Sequence, residues 1–327
     1  MLAELAKANS TDQGKSHVIY EACPDRTLHR VVSWRSDLDY VLQVMHKAPV
    51  SSEPFKFSSF MCDIWPPELY GKMLQYYPAV LKNITDVAPV PMRAPCHFHG
   101  HCGEGISIMT GCHDEFDLNF MLSTLKKTRS RTEEIEQIIR TWTRVLNVLN
   151  SEEFADLVWQ KLNVLEKRET TQVRIINKLP TSQVDVIHSD SPYTIATVIF
   201  MFPNKRDEIF EYGTCLYSPK PEFIRSMSKP TNCSHKVGFF PNSAFMFRTV
   251  PGKVGDRFYY NPKRTAITFG KQTRRIYHEQ DISFPSWHST PFMQYNERCE
   301  VNWRKSLFLT FNCTKKCWEK WNEGKYS

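Results

Sequence analysis

From about residue 171 the chain is written in short β-rich runs that follow one another closely: TQVRII, VDVIHSD, TIATVIFMFP, GTCLYSP, NSAFMFRTV and SLFLTFNC. Turn residues such as Pro203-Asn204 and Pro241-Asn242 separate them. Many short strands with such punctuation suggest a sandwich or barrel of jelly-roll type. The preceding half has a different period. Ile135, Ile138, Ile139, Trp142, Val145, Leu146 and Leu149 form one apolar stripe at helical spacing, with Glu133 and Glu134 at its positive end. Asn150 can cap a second helix, with Glu153 three residues on and Phe154, Leu157, Val158 and Leu162 as its apolar face. Pro66 and Pro67 suit a helix start, Leu69, Met73, Leu74 and Tyr77 follow at helical spacing, and Pro78 stops the run. A shorter helix is expected around Asp37 to His46. Adjacent amphipathic helices usually support a sheet. The expected fold class is therefore α+β, with helices on one side and strands on the other. A length of 327 residues allows this as one domain. Its parts would be an arm and helix in 1–60, mainly helical support in 61–170, and the jelly-roll core in 171–320.

Hydrophobic residues make up 41% of the chain, the composition of an ordinary globular protein. The apolar run TIATVIFMF is far too short to span a bilayer. The opening MLAELAKANSTDQGKSH has no apolar core followed by a small-residue cleavage site. These features point to a cytoplasmic protein with no membrane partner. On that reading the ten cysteines are free thiols, and the sequons at Asn9, Asn83, Asn232 and Asn312 carry no function. The net charge of +7 is modest, and its basic residues are scattered without interleaved aromatics. No nucleic-acid partner is expected. The excess is either solvated surface charge or a field that attracts small anions. Oligomeric state is not legible.

The triplet His188-Ser189-Asp190 lies at the end of a β-rich run. In extended chain, side chains two apart share a face. One strand end can thus hold two ligands of a 2-His-1-carboxylate iron site, with positions left for substrate and oxygen. A second histidine must come from farther along, and His235, His278 and His288 are the candidates. His288 stands out in Phe-Pro-Ser-Trp-His-Ser-Thr-Pro, shortly before the last strand. There, Arg304 and Ser306 share one strand face and can hold a carboxylate together.

These motifs resemble the Fe(II)/2-oxoglutarate-dependent oxygenases, which carry His-x-Asp…His and then Arg-x-Ser on a double-stranded β-helix. His188-Ser189-Asp190-Ser191-Pro192, Tyr212-Gly213-Thr214-Cys215-Leu216-Tyr217, Pro241-Asn242-Ser243-Ala244-Phe245, Trp287-His288 and Arg304-Lys305-Ser306 occur in that family's order. The stretch IWPPELYGKMLQYYP is similar to its N-terminal helix. The resemblance implies a jelly-roll core of cupin-like kind, with iron(II) on His188, Asp190 and His288. The same three residues would be catalytic. Arg304, assisted by Ser306, would hold the distal carboxylate of 2-oxoglutarate, the co-substrate consumed with O2. The implied reaction removes a hydrogen atom from substrate and yields succinate and CO2. Asp190 argues against halogenation, whose enzymes lack the carboxylate ligand. Hydroxylation, desaturation and oxidative cyclisation stay open.

One departure is an insert of about thirty residues between Asn242 and His288, rich in Phe, Tyr and basic residues. Loops of that length are usually functional or disordered. Residues 252–284 are read either as a β-hairpin lid or as surface decoration. Arg257, Lys253, Arg274 and Arg275 are candidates for binding substrate carboxylates. A second group, Cys96, His97, His99, His101, Cys102, Cys112 and His113, matches no zinc spacing and is read first as a structural hairpin.

The basic, aromatic insert favours a small, anionic, amino-acid-derived substrate. The helical N-terminal half and cysteine-rich texture resemble the algal kainoid synthases, which close a pyrrolidine ring on an N-prenylated glutamate. A peptide or protein side-chain hydroxylase is the alternative, and a non-catalytic jelly-roll binding protein the second. Arg298 is the reserve candidate for the keto-acid anchor.

Overall fold

A computed structural model describes residues 31, 33–51, 58–77, 117–129, 131–163, 171–175, 194–203, 213–216, 235–248, 288 and 304–312. It also gives the backbone of the strand segments 19–21, 97–102, 106–110, 113–116, 170, 176–178, 268–269, 272–273 and 289. The helices are α1 (Asp37–Lys47), α2 (Pro67–Gln75), α3 (Leu118–Lys127), α4 (Glu133–Leu149) and α5 (Glu152–Lys161). The strands of the first half are β1 (Ile19–Glu21), β2 (Ser58–Cys62), β3 (His97–Cys102), β4 (Ile106–Thr110) and β5 (His113–Asp117). Those of the second half are β6 (Thr170–Lys178), β7 (Thr194–Phe202), β8 (Thr214–Leu216), β9 (His235–Val237) and β10 (Ser243–Arg248). They continue with β11 (Thr268–Phe269), β12 (Gln272–Thr273), β13 (His288–Ser289) and β14 (Arg304–Asn312).

The large sheet has the order β2-β10-β7-β14-β6-β5 and is antiparallel throughout. A smaller sheet runs β1-β9-β8-β13. The chain is thus α+β, as expected. Both edge strands of the large sheet, β2 and β5, come from the half read as arm and helices. Alternation along the strands separates two cores. Val173, Ile175, Val198, Phe200, Phe202, Leu307, Leu309 and Phe311 face the helices and join one cluster with Trp142, Phe154 and Leu149. Ile199, Met201, Phe245 and Phe247 face the other way and form a second cluster with Leu216, Val237 and Phe239 of the small sheet region.

The helices form for local reasons. Thr132 caps α4 by accepting from the backbone N–H of Ile135, and every residue of its predicted stripe is buried. The next cap lies one residue beyond the expected Asn150. Ser151 accepts from the N–H of Phe154, while Asn150 adopts helical angles and closes α4. In α2, Leu74 of the expected stripe is exposed, whereas Leu69, Met73 and the following Tyr77 are buried. Helix α3 has no counterpart in the sequence reading, although Asp117 caps it by accepting from the N–H of Phe120. Arg144 of α4 grips Asp37 of α1 through two bonds of 2.9 Å, which fixes the helical layer.

Cys62 and Cys215 are disulfide-bonded, and there is no free cysteine among the described residues. The expectation of free thiols is therefore corrected for these positions. That expectation rested on compartment signals, whereas pairing depends on which sulfurs the fold brings together. Disulfides belong to oxidising surroundings, so the cytoplasmic location does not follow from cysteine usage. Among the described residues no helix is long and apolar enough to cross a membrane.

Candidate functional site

The interior between the two sheets has an apolar centre of Ile199, Met201, Phe245 and Phe247, and its one buried arginine among the described residues stands at one end. There β14 opens with Arg304, which is 3% exposed, and Ser306, which is fully buried. Both lie on the inner face, since Leu307 and Leu309 face the helices. The Arg304 guanidinium donates from Nη1 to Ser306 Oγ at 3.2 Å and from Nη2 to Thr214 Oγ1 at 3.3 Å. Thr214 belongs to β8 of the small sheet, so this contact spans the interior. The guanidinium also stands 4.9 Å from the centre of the Phe239 ring.

Burial pushes the Arg304 guanidinium down to about 10, and Tyr77 acts weakly in the opposite direction. It is still a cation at neutral pH. A desolvated cation flanked by two hydroxyls is a receptor for a carboxylate: the Arg supplies charge and fork geometry, the hydroxyls further donors.

Thr214 owes its position to its neighbours. A Cβ on Gly213 would lie 2.0 Å from the Val237 carbonyl oxygen, so only glycine allows β8 this approach to β9. The Arg304 strand is held from behind. Tyr77, wholly buried, donates its hydroxyl to the Ser306 backbone carbonyl at 3.2 Å. Burial holds the Tyr77 phenol well above its ordinary value, with Arg304 and the Ser306 bond pulling the other way. Tyr77 therefore remains a neutral donor.

His288 lies on β13, opposite Leu216 of β8, and is 5% exposed. Its ring meets Phe247 edge-on, with centroids 5.1 Å apart. Thr214 and His288 share the inner face of the small sheet, one strand apart and two residues along. That places their Cα atoms about 8 Å apart. The rival His235 pairs with Leu216 from the opposite side, on β9.

Asn242 fixes the turn into β10. It adopts φ +54°, a left-handed conformation that Asn tolerates. Its amide accepts from the Trp65 N–H at 3.0 Å and donates to the Trp65 carbonyl at 2.8 Å. The predicted Pro-Asn turn thereby docks the segment between β2 and α2 onto the sheet.

The structure brings Arg304, Ser306 and His288 to one interior. His188 and Asp190 lie outside the described residues, as do His278, Lys253, Arg257, Arg274, Arg275 and Arg298. Among the described residues no group of three potential metal ligands forms. The residues described do fit the groups expected: a buried imidazole for a metal, and a buried cation with hydroxyls for a keto acid. The segments His97–Cys102 and Ile106–Thr110 pair antiparallel, which agrees with the hairpin expected there, and their register shifts between Phe98 and His101. Within the insert, β11 and β12 form a short antiparallel pair. Sequence reasoning missed Thr214, Phe239 and Tyr77 as contributors. Thr214 stood inside a quoted motif, but its contact to Arg304 crosses 90 residues of sequence.

No protein-family model matches the chain, and no curated protein matches it. Among solved structures it is similar to a prolyl 4-hydroxylase from Phytophthora capsici, at TM-score 0.42 and 10% identity, covering 89% of this chain and 75% of that one. It is also similar to dioxygenase for auxin oxidation 1 from Arabidopsis thaliana in its 2-oxoglutarate binary complex, at TM-score 0.40 and 10% identity, covering 87% and 92%. A third is a 2OG-Fe(II) oxygenase family oxidoreductase from Burkholderia pseudomallei, at TM-score 0.35 and 10% identity, covering 90% and 96%. The likeness is loose, and the case for the site rests on the residues above.

Proposed function

We propose that this chain is a non-haem iron(II)- and 2-oxoglutarate-dependent oxygenase, folded as one domain around a double-stranded β-helix. The observation that carries the reading is the buried Arg304 guanidinium, bonded across the interior to Thr214 and beside Ser306, with the buried His288 nearby. The strand path supports the fold. The chain lays β6 and β7 in the large sheet, β8 and β9 in the small one, β10 in the large, β13 in the small and β14 in the large.

Arg304, Ser306 and Thr214 hold the distal carboxylate of 2-oxoglutarate. His288 is a metal ligand, and His188 and Asp190 complete the set. When bound, iron with 2-oxoglutarate and O2 supplies the oxidising power to remove a hydrogen atom from substrate. The chain's own residues bind and orient. Phe247 packs edge-on against the His288 ring, Phe239 covers the Arg304 guanidinium, and Met201, Ile199 and Phe245 keep the neighbouring interior apolar.

The substrate is a small carboxylate-bearing metabolite, and the outcome is hydroxylation or oxidative cyclisation. Ring closure of the kainoid-synthase kind is the most specific form of this reading, and it rests on the sequence resemblance alone.

Anaerobic protein with Fe(II) and 2-oxoglutarate tests the proposal. A weak visible charge-transfer band is expected in the wild type and should vanish in His188→Ala. No band in the wild type, or a band that persists in the variant, overturns it.

A further inference from the structure

Two parts of the candidate site depend on one short strand. Strand β8 has three residues. Its first, Thr214, accepts from the Arg304 guanidinium at 3.3 Å. Its last, Leu216, pairs with His288 of β13. Strand β13 has two residues and ends the small sheet, so among the described residues β8 is its only partner. On its other side β8 pairs with β9, which also has three residues. Arg304 itself is better placed, since β14 and its neighbour β7 have nine residues each. Short strands make few ladder bonds, and segments with few bonds open locally at low cost. The ladder alone is therefore a weak hold on the strand that carries Thr214 and seats His288.

The middle residue of β8 is Cys215, which is disulfide-bonded and 6% exposed. Thr214 and Leu216 on either side of it face the interior. Alternation turns Cys215 to the outer side of the small sheet. Its register partners are Lys236 of β9 and Ser289 of β13, the residue after His288. The disulfide thus holds β8 from behind and leaves the interior free of sulfur. Cys62 belongs to a different bond. It is in register with Ser243 and Met201, and Met201 lies in the inner cluster. Cys62 therefore stands on the inner face of the large sheet, whereas Cys215 points away from that sheet.

We propose that the disulfide of Cys215 is a positioning element of the candidate site. It fixes β8, and through β8 the Thr214 hydroxyl and the His288 ring, so that binding of the keto acid depends on the oxidised state of this bond. The inference rests on the oxygenase reading for the identity of the carboxylate. A cross-link acts here by removing the open conformations that a three-residue strand otherwise visits. Reduction by a dithiol supplies two electrons and two protons, opens the S–S bond to two thiols and closes the reagent to its own disulfide. The site is then competent in oxidising surroundings and weakened in reducing ones.

The test compares wild type, Cys215→Ala and Cys62→Ala as full-length proteins, loaded with Mn(II) and titrated with 2-oxoglutarate. Cys215→Ala should weaken 2-oxoglutarate about tenfold, and Cys62→Ala should stay within about twofold of wild type. Wild type reduced with dithiothreitol and freed of the reagent should match Cys215→Ala, and reoxidation should restore it. Reduction should not weaken Cys215→Ala further. Hydrogen exchange on metal-free protein reads the strand directly. Amides of 214–216 and 288–289 should exchange about tenfold faster in Cys215→Ala, while those of 194–202 keep their protection. Four results overturn the proposal: unchanged 2-oxoglutarate affinity in Cys215→Ala, equal weakening in Cys62→Ala, unchanged exchange in 214–216, or lost protection throughout 194–202, which would make the bond a brace of the whole fold. If oxidised wild type does not bind 2-oxoglutarate at all, the oxygenase reading fails instead, and the exchange rates alone decide whether the bond holds β8.

Discussion

The two faces of the large sheet are built from the same strands and have opposite characters. Toward the helices, β7 presents Ala196, Val198, Phe200 and Phe202, and β14 presents Leu307, Leu309 and Phe311, all buried among apolar neighbours. Toward the small sheet, the alternate positions include Arg304, Ser306, Thr310 and Thr197, which are buried as well. Burying polar groups costs free energy unless they are bonded. The helix face consequently carries stability, and the inner face holds polar groups that a well-packed core would not need. A two-residue period allows both on one strand.

That contrast makes definite forecasts. The largest effect is expected at His288: alanine there should abolish metal-dependent turnover and the Fe(II)/2-oxoglutarate absorption band, while the unfolding midpoint changes little. A large loss of stability with the band intact would mean that His288 is a core residue. On the other face, Trp142 is fully buried and donates to the Tyr76 carbonyl at 2.8 Å. Trp142→Ala should cost about 3–5 kcal/mol in denaturant titration, yet leave 2-oxoglutarate affinity of the folded protein close to wild type.

Arg304→Ala should raise the 2-oxoglutarate requirement, by about 1.5–3 kcal/mol of lost binding, and should spare metal binding. An unchanged requirement would hand the anchor to Arg298. The smallest change is forecast for Tyr77, which joins the two faces through the Ser306 carbonyl. Tyr77→Phe should cost about 1 kcal/mol of stability and shift 2-oxoglutarate affinity only slightly. A shift as large as that of Arg304→Ala would show that the carboxylate site depends on support from the helical layer.

Much of this architecture was legible beforehand where periodicity was long. The stripe of α4 and the runs that became β6, β7, β10 and β14 needed only local pattern, because burial of one face dictates their spacing. Some shorter elements were not legible, although β8 was, inside GTCLYSP. Strand β9 has three residues, β2 five, and neither has a run long enough to show a period. Helix α3 begins directly at the end of β5, so no break in pattern announced it. The shift of the α5 cap from Asn150 to Ser151 shows the usual limit on helix ends, where two adjacent residues can each cap.

The candidate site divides in the same way. That an arginine and a serine two apart on an extended strand share one face is a property of the backbone, so Arg304 and Ser306 could be named from sequence. The Thr214 hydroxyl, the Phe239 ring and the Tyr77 prop come from elements far away in sequence, and only sheet stacking brings them to the guanidinium. The disulfide bonding of Cys62 and Cys215 is of this second kind, since proximity of sulfurs is not encoded in spacing. Local periods are set by covalent geometry and solvent, and they survive in any context. Contacts across the interior exist only once two sheets and a helical layer have closed around it.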